Sequence, residues 1–130
     1  MTPTEEKILE EARKAREFAY APYSGFAVGA AVLAGSGRIY AGCNVENVSF
    51  PATMCAERVA IYEAVAAGEK EFELLAVVAE GEHPVAPCGA CRQVMAEFDI
   101  PRVLLANTEG KTVVRTMDEL LPDAFNGEDF

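Results

Sequence analysis

The residues best suited to chemistry in this sequence are its four cysteines, at positions 43, 55, 88 and 91. Two of them belong to the segment Pro87-Cys88-Gly89-Ala90-Cys91, and residues three apart share one side of a helical turn. A helix N-terminus lowers the pKa of a thiol and favours the thiolate, which is the form that binds metal. The spacing therefore predicts that Cys88 and Cys91 bind one zinc ion together.

A third zinc ligand is expected at Cys55, which also stands where a helix is predicted to begin. Three protein ligands leave one coordination position open, which is typical of a catalytic zinc, and water bound there becomes hydroxide near neutral pH. Glu57 is badly placed to bind the same ion, but it is well placed to shuttle a proton beside that water. Arg58 is placed to compensate the surplus negative charge of the thiolates.

The Cys-x-x-Cys pattern by itself leaves three interpretations open, because structural zinc sites and thioredoxin-like dithiols share it with catalytic zinc sites. A structural site would recruit Cys43 as a fourth ligand, which would have to leave a strand end and reach two helix ends. A redox pair usually follows the first strand of its fold, whereas this pair follows the third predicted strand. Cys43 is interpreted as a small buried apolar side chain.

The spacing of apolar residues predicts the elements that must position these side chains. Thr2, Pro3 and Glu5 have the pattern of a capping box with proline in the first turn, and the helical stripe that follows continues to Ala19. Further helices are predicted over residues 56–67 and 88–98, and strands over residues 26–34, 38–42, 74–79, 102–106 and 112–115.

These elements predict a three-layer α/β/α fold on a mixed five-stranded sheet. The run from Leu74 to Ala79 is apolar throughout, as expected for a central strand covered on both faces. Only Asn107 to Lys111 separate the last two strands, which allows an antiparallel hairpin and no crossover helix. At this length one domain is expected, covering residues 1–130.

Composition excludes several classes of protein. With 11 Lys and Arg against 21 Asp and Glu, the net charge of −10 repels phosphate backbones, so a nucleic-acid strand is not the expected partner. No apolar run approaches the length of a membrane span, and the start of the sequence lacks the pattern of a secretion signal. A cytoplasmic location is expected, where thiols stay reduced.

Two segments of the sequence resemble a known family of enzymes. Cys55-Ala56-Glu57-Arg58 and Pro87-Cys88-Gly89-Ala90-Cys91-Arg92-Gln93 together resemble the small homotetrameric cytidine deaminases, which are zinc-dependent and of the three-cysteine type. The resemblance covers nearly the whole chain, including residues 20–24, 26–31, 42–47 and 120–125. It implies a cytidine deaminase-like fold and a homotetramer with active sites at subunit interfaces.

The resemblance also implies a reaction in pyrimidine salvage, the hydrolytic deamination of cytidine and deoxycytidine to uridine and deoxyuridine. One zinc ion per chain would be held by Cys55, Cys88 and Cys91, with Arg58 neutralising thiolate charge. Zinc-bound hydroxide would attack C4 of cytosine. Glu57 would pass a proton from the zinc-bound water to N3 and then to the amine that leaves as ammonia.

The same resemblance assigns the substrate contacts. Asn44 and Glu46 would hold the ribose hydroxyls, and the backbone N–H of Ala56 would bind the pyrimidine carbonyl. Phe26 would pack against the nucleoside, and Phe125 would stack on the pyrimidine from a neighbouring subunit. Without the resemblance, Asn44 would be interpreted as a turn former, Glu46 as a solvated acid and Phe26 as core.

One position departs from the family. Phe50 stands where many members have tyrosine, so no hydroxyl is available there to contact the sugar.

Three other functions compete with a cytidine deaminase. Blasticidin S deaminases resemble the chain around both zinc motifs, but Asn44-Val45-Glu46-Asn47 favours a ribose. Deaminases of RNA or DNA usually have histidine where Cys55 stands, and the net charge of −10 opposes them. A structural zinc module that binds a protein partner would have no use for Glu57. A small nucleoside and further copies of the chain are therefore the expected partners.

Overall fold

The computed structural model describes residues 1–130. The four helices are α1 (Pro3–Arg16), α2 (Ala56–Ala66), α3 (Gly89–Glu97) and α4 (Met117–Leu120). The five strands are β1 (Val28–Ala34), β2 (Ile39–Cys43), β3 (Phe72–Ala79), β4 (Val103–Asn107) and β5 (Thr112–Arg115). Short 3₁₀ turns cover Phe50–Ala52 and Gly127–Asp129. None of the helices combines the length and the apolar character that crossing a membrane requires.

The strands form one mixed sheet in the order β2-β1-β3-β4-β5. Only β3 and β4 pair in parallel, because α3 forms the crossover between them, and the other three pairs are antiparallel. The expected hairpin of the last two strands is confirmed, with Val103 opposite Arg115. The expected central strand is also confirmed, since β3 lies between β1 and β4 and is buried on both faces.

Two apolar clusters, one on each face of the sheet, confirm the three-layer α/β/α fold. Alternate residues of β3 serve the two clusters, because successive side chains of a strand point to opposite faces. Leu75 and Val77 belong to the cluster that includes residues of α2 and α3. Leu74 and Ala76 belong to the cluster that includes Ile8 and its neighbours on α1. The sheet is thus covered by α1 on one side and by α2 and α3 on the other.

The first helix begins as predicted and ends earlier. Thr2 and Glu5 form the expected capping box, and Glu5 also accepts a hydrogen bond of 2.8 Å from Arg102. The prediction that the helix runs to Ala19 is wrong, because α1 ends at Arg16 and the next amide groups bond three residues back instead of four. The end of the apolar stripe therefore lies outside the helix, and Phe18 is 78% exposed.

One strand begins later than predicted, and one helix was not predicted at all. Strand β1 begins at Val28 instead of Phe26, because the Asn44 side chain accepts from the Val28 amide (2.9 Å) and donates to the Phe26 carbonyl (2.8 Å). A side chain thus replaces the strand ladder at these positions. Helix α4 was not predicted, although Thr116 and Glu119 form a second capping box that the sequence pattern contains.

Glycine at two strand positions allows the helices to approach the sheet closely. A Cβ atom added to Gly29 in β1 would lie 2.0 Å from the carbonyl oxygen of Ala12 in α1. A Cβ atom added to Gly42 in β2 would lie 2.6 Å from the amide nitrogen of Ala60 in α2. Both contacts are with backbone atoms, which cannot move aside without shifting a helix.

We predict that Gly29→Ala lowers the free energy of unfolding by about 2 kcal/mol or more, because α1 must shift away from the sheet. The measurement is urea unfolding followed by circular dichroism. Gly127→Ala is the matched control, because a Cβ atom at that position meets nothing within 4 Å. Equal unfolding midpoints for the two variants would contradict the close approach of α1 and β1.

Candidate active site

The N-termini of α2 and α3 meet on the same side of the sheet and bring three cysteines together. Cys55 is the N-cap residue of α2, and Cys88 is the N-cap residue of α3. Neither N-cap side chain makes a capping hydrogen bond to its helix. Cys91 follows in the first turn of α3 and is fully buried, whereas Cys88 is exposed and Cys55 is half-buried.

The distances within this cysteine cluster fit a single metal ion. The Sγ atoms of Cys55 and Cys88 are 3.8 Å apart, those of Cys88 and Cys91 are 3.4 Å apart, and all three lie within 4.8 Å of one another. A tetrahedral zinc ion with bonds of about 2.3 Å to sulfur separates its ligands by about 3.8 Å. These three cysteines could therefore hold zinc.

Cys43 lies outside the cysteine cluster. It is in β2 opposite Gly29, and it is half-buried instead of fully buried as expected. The fourth cysteine that a four-thiolate structural site requires is therefore not part of this arrangement.

The charge of the cysteine cluster depends on the hydrogen bonds among its sulfur atoms and on the guanidinium group of Arg58. The hydrogen bond with Cys91, assisted by Arg58, lowers the pKa of Cys55 to about 5. The hydrogen bond with Cys55, followed by burial, raises the pKa of Cys91. Arg58 donates from Nη2 to the Sγ atom of Cys55 at 3.4 Å. A set of soft sulfur donors beside one cationic side chain suits zinc.

Glu57 is a buried carboxylic acid next to the cluster. Its side chain is in the first turn of α2, it is 5% exposed, and it is not one of the three grouped ligands. Burial raises the pKa of Glu57 to about 7, and the negative charge of Cys55 acts in the same direction. A carboxyl group of this kind can take up and release protons near neutral pH.

A cavity of about 300 Å³ joins the cluster and Glu57 to the other predicted contacts. Phe26, Asn44 and Glu46 line it together with Ala56, the first residue of α2. A larger cavity of about 500 Å³ lies elsewhere, between α1 and β2, and contains none of the predicted site residues. The smaller cavity is the candidate active site because Glu57 and two members of the cysteine cluster, Cys55 and Cys88, line it.

The polar side chains of Asn44, Glu46 and Asn47 make hydrogen bonds within the protein. Asn44 is 8% exposed and makes the two backbone hydrogen bonds that mark the start of β1. Glu46 accepts from the amides of Tyr23 (3.0 Å) and Ser24 (3.1 Å). Asn47 accepts a hydrogen bond of 2.8 Å from the amide of Ser49, as asparagine commonly does in turns.

The chain does not bring every predicted residue into the cavity. Phe125 is 57% exposed and lies outside the lining, with its carbonyl group accepting from Gln93 at 2.8 Å. Its ring packs edge-on against Phe130 with 5.5 Å between the ring centres. Phe50 is also outside this cavity, 81% exposed, and lines a neighbouring cavity that shares Glu46 with it.

Sequence reasoning missed two side chains that hold the loop before Cys88. Asn107, fully buried at the end of β4, donates to the carbonyl oxygen of Gly81 at 2.9 Å. Arg92 donates from Nε to the carbonyl oxygen of Pro87 (2.8 Å) and from Nη1 to that of Leu120 (2.7 Å). Arg92 directly follows the second cysteine of the pair, but the carbonyl groups it binds leave no pattern in the sequence.

Comparison with known proteins agrees with this geometry. Residues 2–107 match a family model described as the cytidine and deoxycytidylate deaminase zinc-binding region. The chain is 54% identical to cytidine deaminase of Sporosarcina psychrophila over 127 residues, covering 95% of this chain and 93% of that protein. The crystal structure of cytidine deaminase from Burkholderia pseudomallei superimposes with a TM-score of 0.90 at 50% identity, covering 96% of this chain and all of the other.

The chain is also similar to a relative of different specificity. It is 33% identical to blasticidin-S deaminase of Bacillus cereus over 106 residues, covering 73% of this chain and 74% of that protein. The similarity to the two cytidine deaminases is higher and extends over more of the chain. The family match covers both segments that contain the cysteine cluster. The chain therefore belongs to the cytidine deaminase family of enzymes.

Proposed function

We propose that this protein hydrolyses cytidine and deoxycytidine to uridine and deoxyuridine with release of ammonia. The observation that supports this most directly is the three-cysteine cluster, two of whose members line one cavity together with buried Glu57. The volume of the cavity, about 300 Å³, suits a small molecule and is too small for a nucleic-acid strand. This reaction would give the protein a role in pyrimidine salvage, the recycling of pyrimidine nucleosides.

Each reacting group of the site has a defined task in this proposal. Cys55, Cys88 and Cys91 hold one zinc ion, and Arg58 offsets the charge of the sulfurs. Zinc held in this way supplies a Lewis acid that activates water at neutral pH. Glu57 takes one proton from the attacking water and delivers it to N3 of the cytosine ring. It then takes the second proton from the hydroxyl formed at C4 and delivers it to the amine, so that the C4–N bond breaks and ammonia leaves.

The remaining contacts orient the nucleoside. The first amide groups of a helix have no partner within the helix, so the N–H of Ala56 is available to the pyrimidine carbonyl group. Asn44 and Glu46 bind sugar hydroxyls, and the ring of Phe26 packs against the nucleoside. All four residues line the same cavity as Glu57.

The proposed chemistry also has consequences for the domain organisation of the chain and for its location in the cell. Residues 1–130 act as one catalytic domain, since α2 and α3, which hold the reacting groups, share one apolar cluster with the sheet. The three sulfurs must be reduced to bind zinc, and we therefore place the enzyme in the cytoplasm, where thiols stay reduced.

We predict one zinc ion per chain, lost when Cys55, Cys88 or Cys91 is replaced by serine, because a hydroxyl is a poor substitute for a thiolate ligand. The measurement is zinc content of the purified variants by mass spectrometry. Cys43→Ser is the matched control and keeps its zinc, since Cys43 lies outside the cluster. Zinc loss in the control as large as in the other variants would contradict the three-cysteine site.

We predict that Glu57→Gln lowers kcat for cytidine by roughly 10²–10⁴-fold, because an amide cannot shuttle a proton. Zinc content and thermal unfolding stay close to those of the wild type, since the side chains have nearly the same shape. Turnover is measured from the absorbance change that accompanies conversion of cytidine to uridine. The wild type is also assayed with blasticidin S as a second substrate. Preserved turnover in this variant would refute the assignment of Glu57, and faster turnover of blasticidin S by the wild type would refute the proposed substrate.

We predict a homotetramer, in which Phe125 of one subunit reaches the cavity of another. Large apolar side chains outside the cavity are exposed in the single chain, including Phe125 and, on α2, Tyr62 at 43% exposure. Sedimentation at low micromolar concentration measures the mass. A monomer under these conditions would contradict the prediction. Phe125→Ala raises KM for cytidine, because it removes the ring that reaches the neighbouring cavity, and it leaves the zinc content unchanged.

A further inference from the structure

The Glu46 carboxylate is fixed in place by one turn of the chain. Its Oε1 atom accepts from the amide groups of Tyr23 and Ser24, and its Oε2 atom accepts from the hydroxyl of Ser24. The hydrogen bonds from Ser24 hold the pKa of Glu46 below its usual value, so the group is ionised. An ionised carboxylate has about four acceptor sites, and three are used here. The free site is on Oε2.

The Ser24 hydroxyl links two residues that line the cavity. The amide of Phe26 donates to Ser24 Oγ at 2.9 Å. An amide can only donate, so the single hydroxyl proton of Ser24 is directed to the carboxylate of Glu46. The hydrogen bonds therefore run in one direction, from Phe26 through Ser24 to Glu46, and all three residues line the cavity.

The position of this turn does not depend on the Ser24 hydroxyl. Backbone hydrogen bonds of 2.9 Å join the amide of Tyr20 to the carbonyl of Asn44, and the amide of Glu46 to the carbonyl of Tyr20. These bonds attach the segment before Ser24 to the segment that contains Glu46. What the hydroxyl adds is the orientation of the carboxylate.

We propose that Ser24 is a positioning residue for the sugar half of the substrate. It rotates the Glu46 carboxylate so that the free acceptor site on Oε2 is presented to a sugar hydroxyl. This role rests on the proposed function, since it takes the occupant of the cavity to be a nucleoside.

The test compares Ser24→Ala with the wild type on two substrates. With cytidine, we expect KM to rise roughly tenfold, the effect of one misplaced hydrogen bond to a charged group, while kcat changes by less than about twofold. We take the 2′- and 3′-hydroxyls to be the groups that Glu46 accepts from. With 2′,3′-dideoxycytidine, which lacks both, the variant and the wild type have the same KM. Ser24→Thr restores the hydroxyl and recovers the KM for cytidine.

A second serine of the chain provides a matched control. Ser36 donates to the carboxylate of Glu69 at 2.6 Å and accepts from the amide of Arg38 at 3.3 Å, which is the same arrangement outside the cavity. Ser36→Ala therefore removes an equivalent hydrogen bond. We expect it to leave the KM for cytidine unchanged.

The outcomes separate the two proposals. An active wild type whose Ser24→Ala variant keeps its KM for cytidine would contradict the positioning role alone. An equal rise in KM for both substrates would also contradict the positioning role, because a general change in the structure of the cavity would then explain the effect. A wild type that releases no ammonia from cytidine would overturn the proposed function and this role with it.

Discussion

Gathering three sulfur atoms within 4.8 Å of one another concentrates negative charge, and the fold is arranged to make that charge tolerable. Two helices, α2 and α3, direct their N-termini at the cluster, where the helix dipoles favour anionic groups. Arg58 supplies a full positive charge at 3.4 Å from one sulfur. Because each helix starts at a cysteine, the position of a sulfur is set by the position of a helix end.

The sheet determines where those helix ends lie. The absence of a side chain at Gly42 lets α2 contact β2 backbone to backbone, which sets the height of its first turn above the sheet. The other helix follows β3 through the loop that Asn107 holds by hydrogen bonds to the carbonyl groups of Gly81 and Glu82. The site thus lies beyond the carboxyl end of the central strand, where ligand sites of open α/β sheets are commonly found.

Features that depend on neighbours in sequence could be predicted, and features that depend on distant contacts could not. The capping box at Thr2, the apolar strand β3 and the last hairpin follow local patterns and are confirmed. The early end of α1 was not predictable, since its apolar stripe continues past Arg16 and nothing local marks the end.

The same limit applies to the candidate site. The spacing of Cys88 and Cys91 marks them as a pair, and the helix start at Cys55 suggested the third member, which the structure brings to them from over thirty residues away. The bonds that hold Glu46 connect it to a turn more than twenty residues earlier, so the sequence alone suggested only a solvated acid or, by resemblance, a sugar ligand. Phe125 lies outside the cavity of its own chain, which is compatible with the contact from a neighbouring subunit that the resemblance implies.

The three cysteines of the cluster differ in their exposure to solvent, from exposed Cys88 to buried Cys91. A reagent arriving from solvent, whether an oxidant, an alkylating agent or a competing soft metal, meets Cys88 first and Cys91 last. Access from solvent is therefore greatest at the N-cap residue of α3 and least at Cys91, whose sulfur packs among apolar side chains.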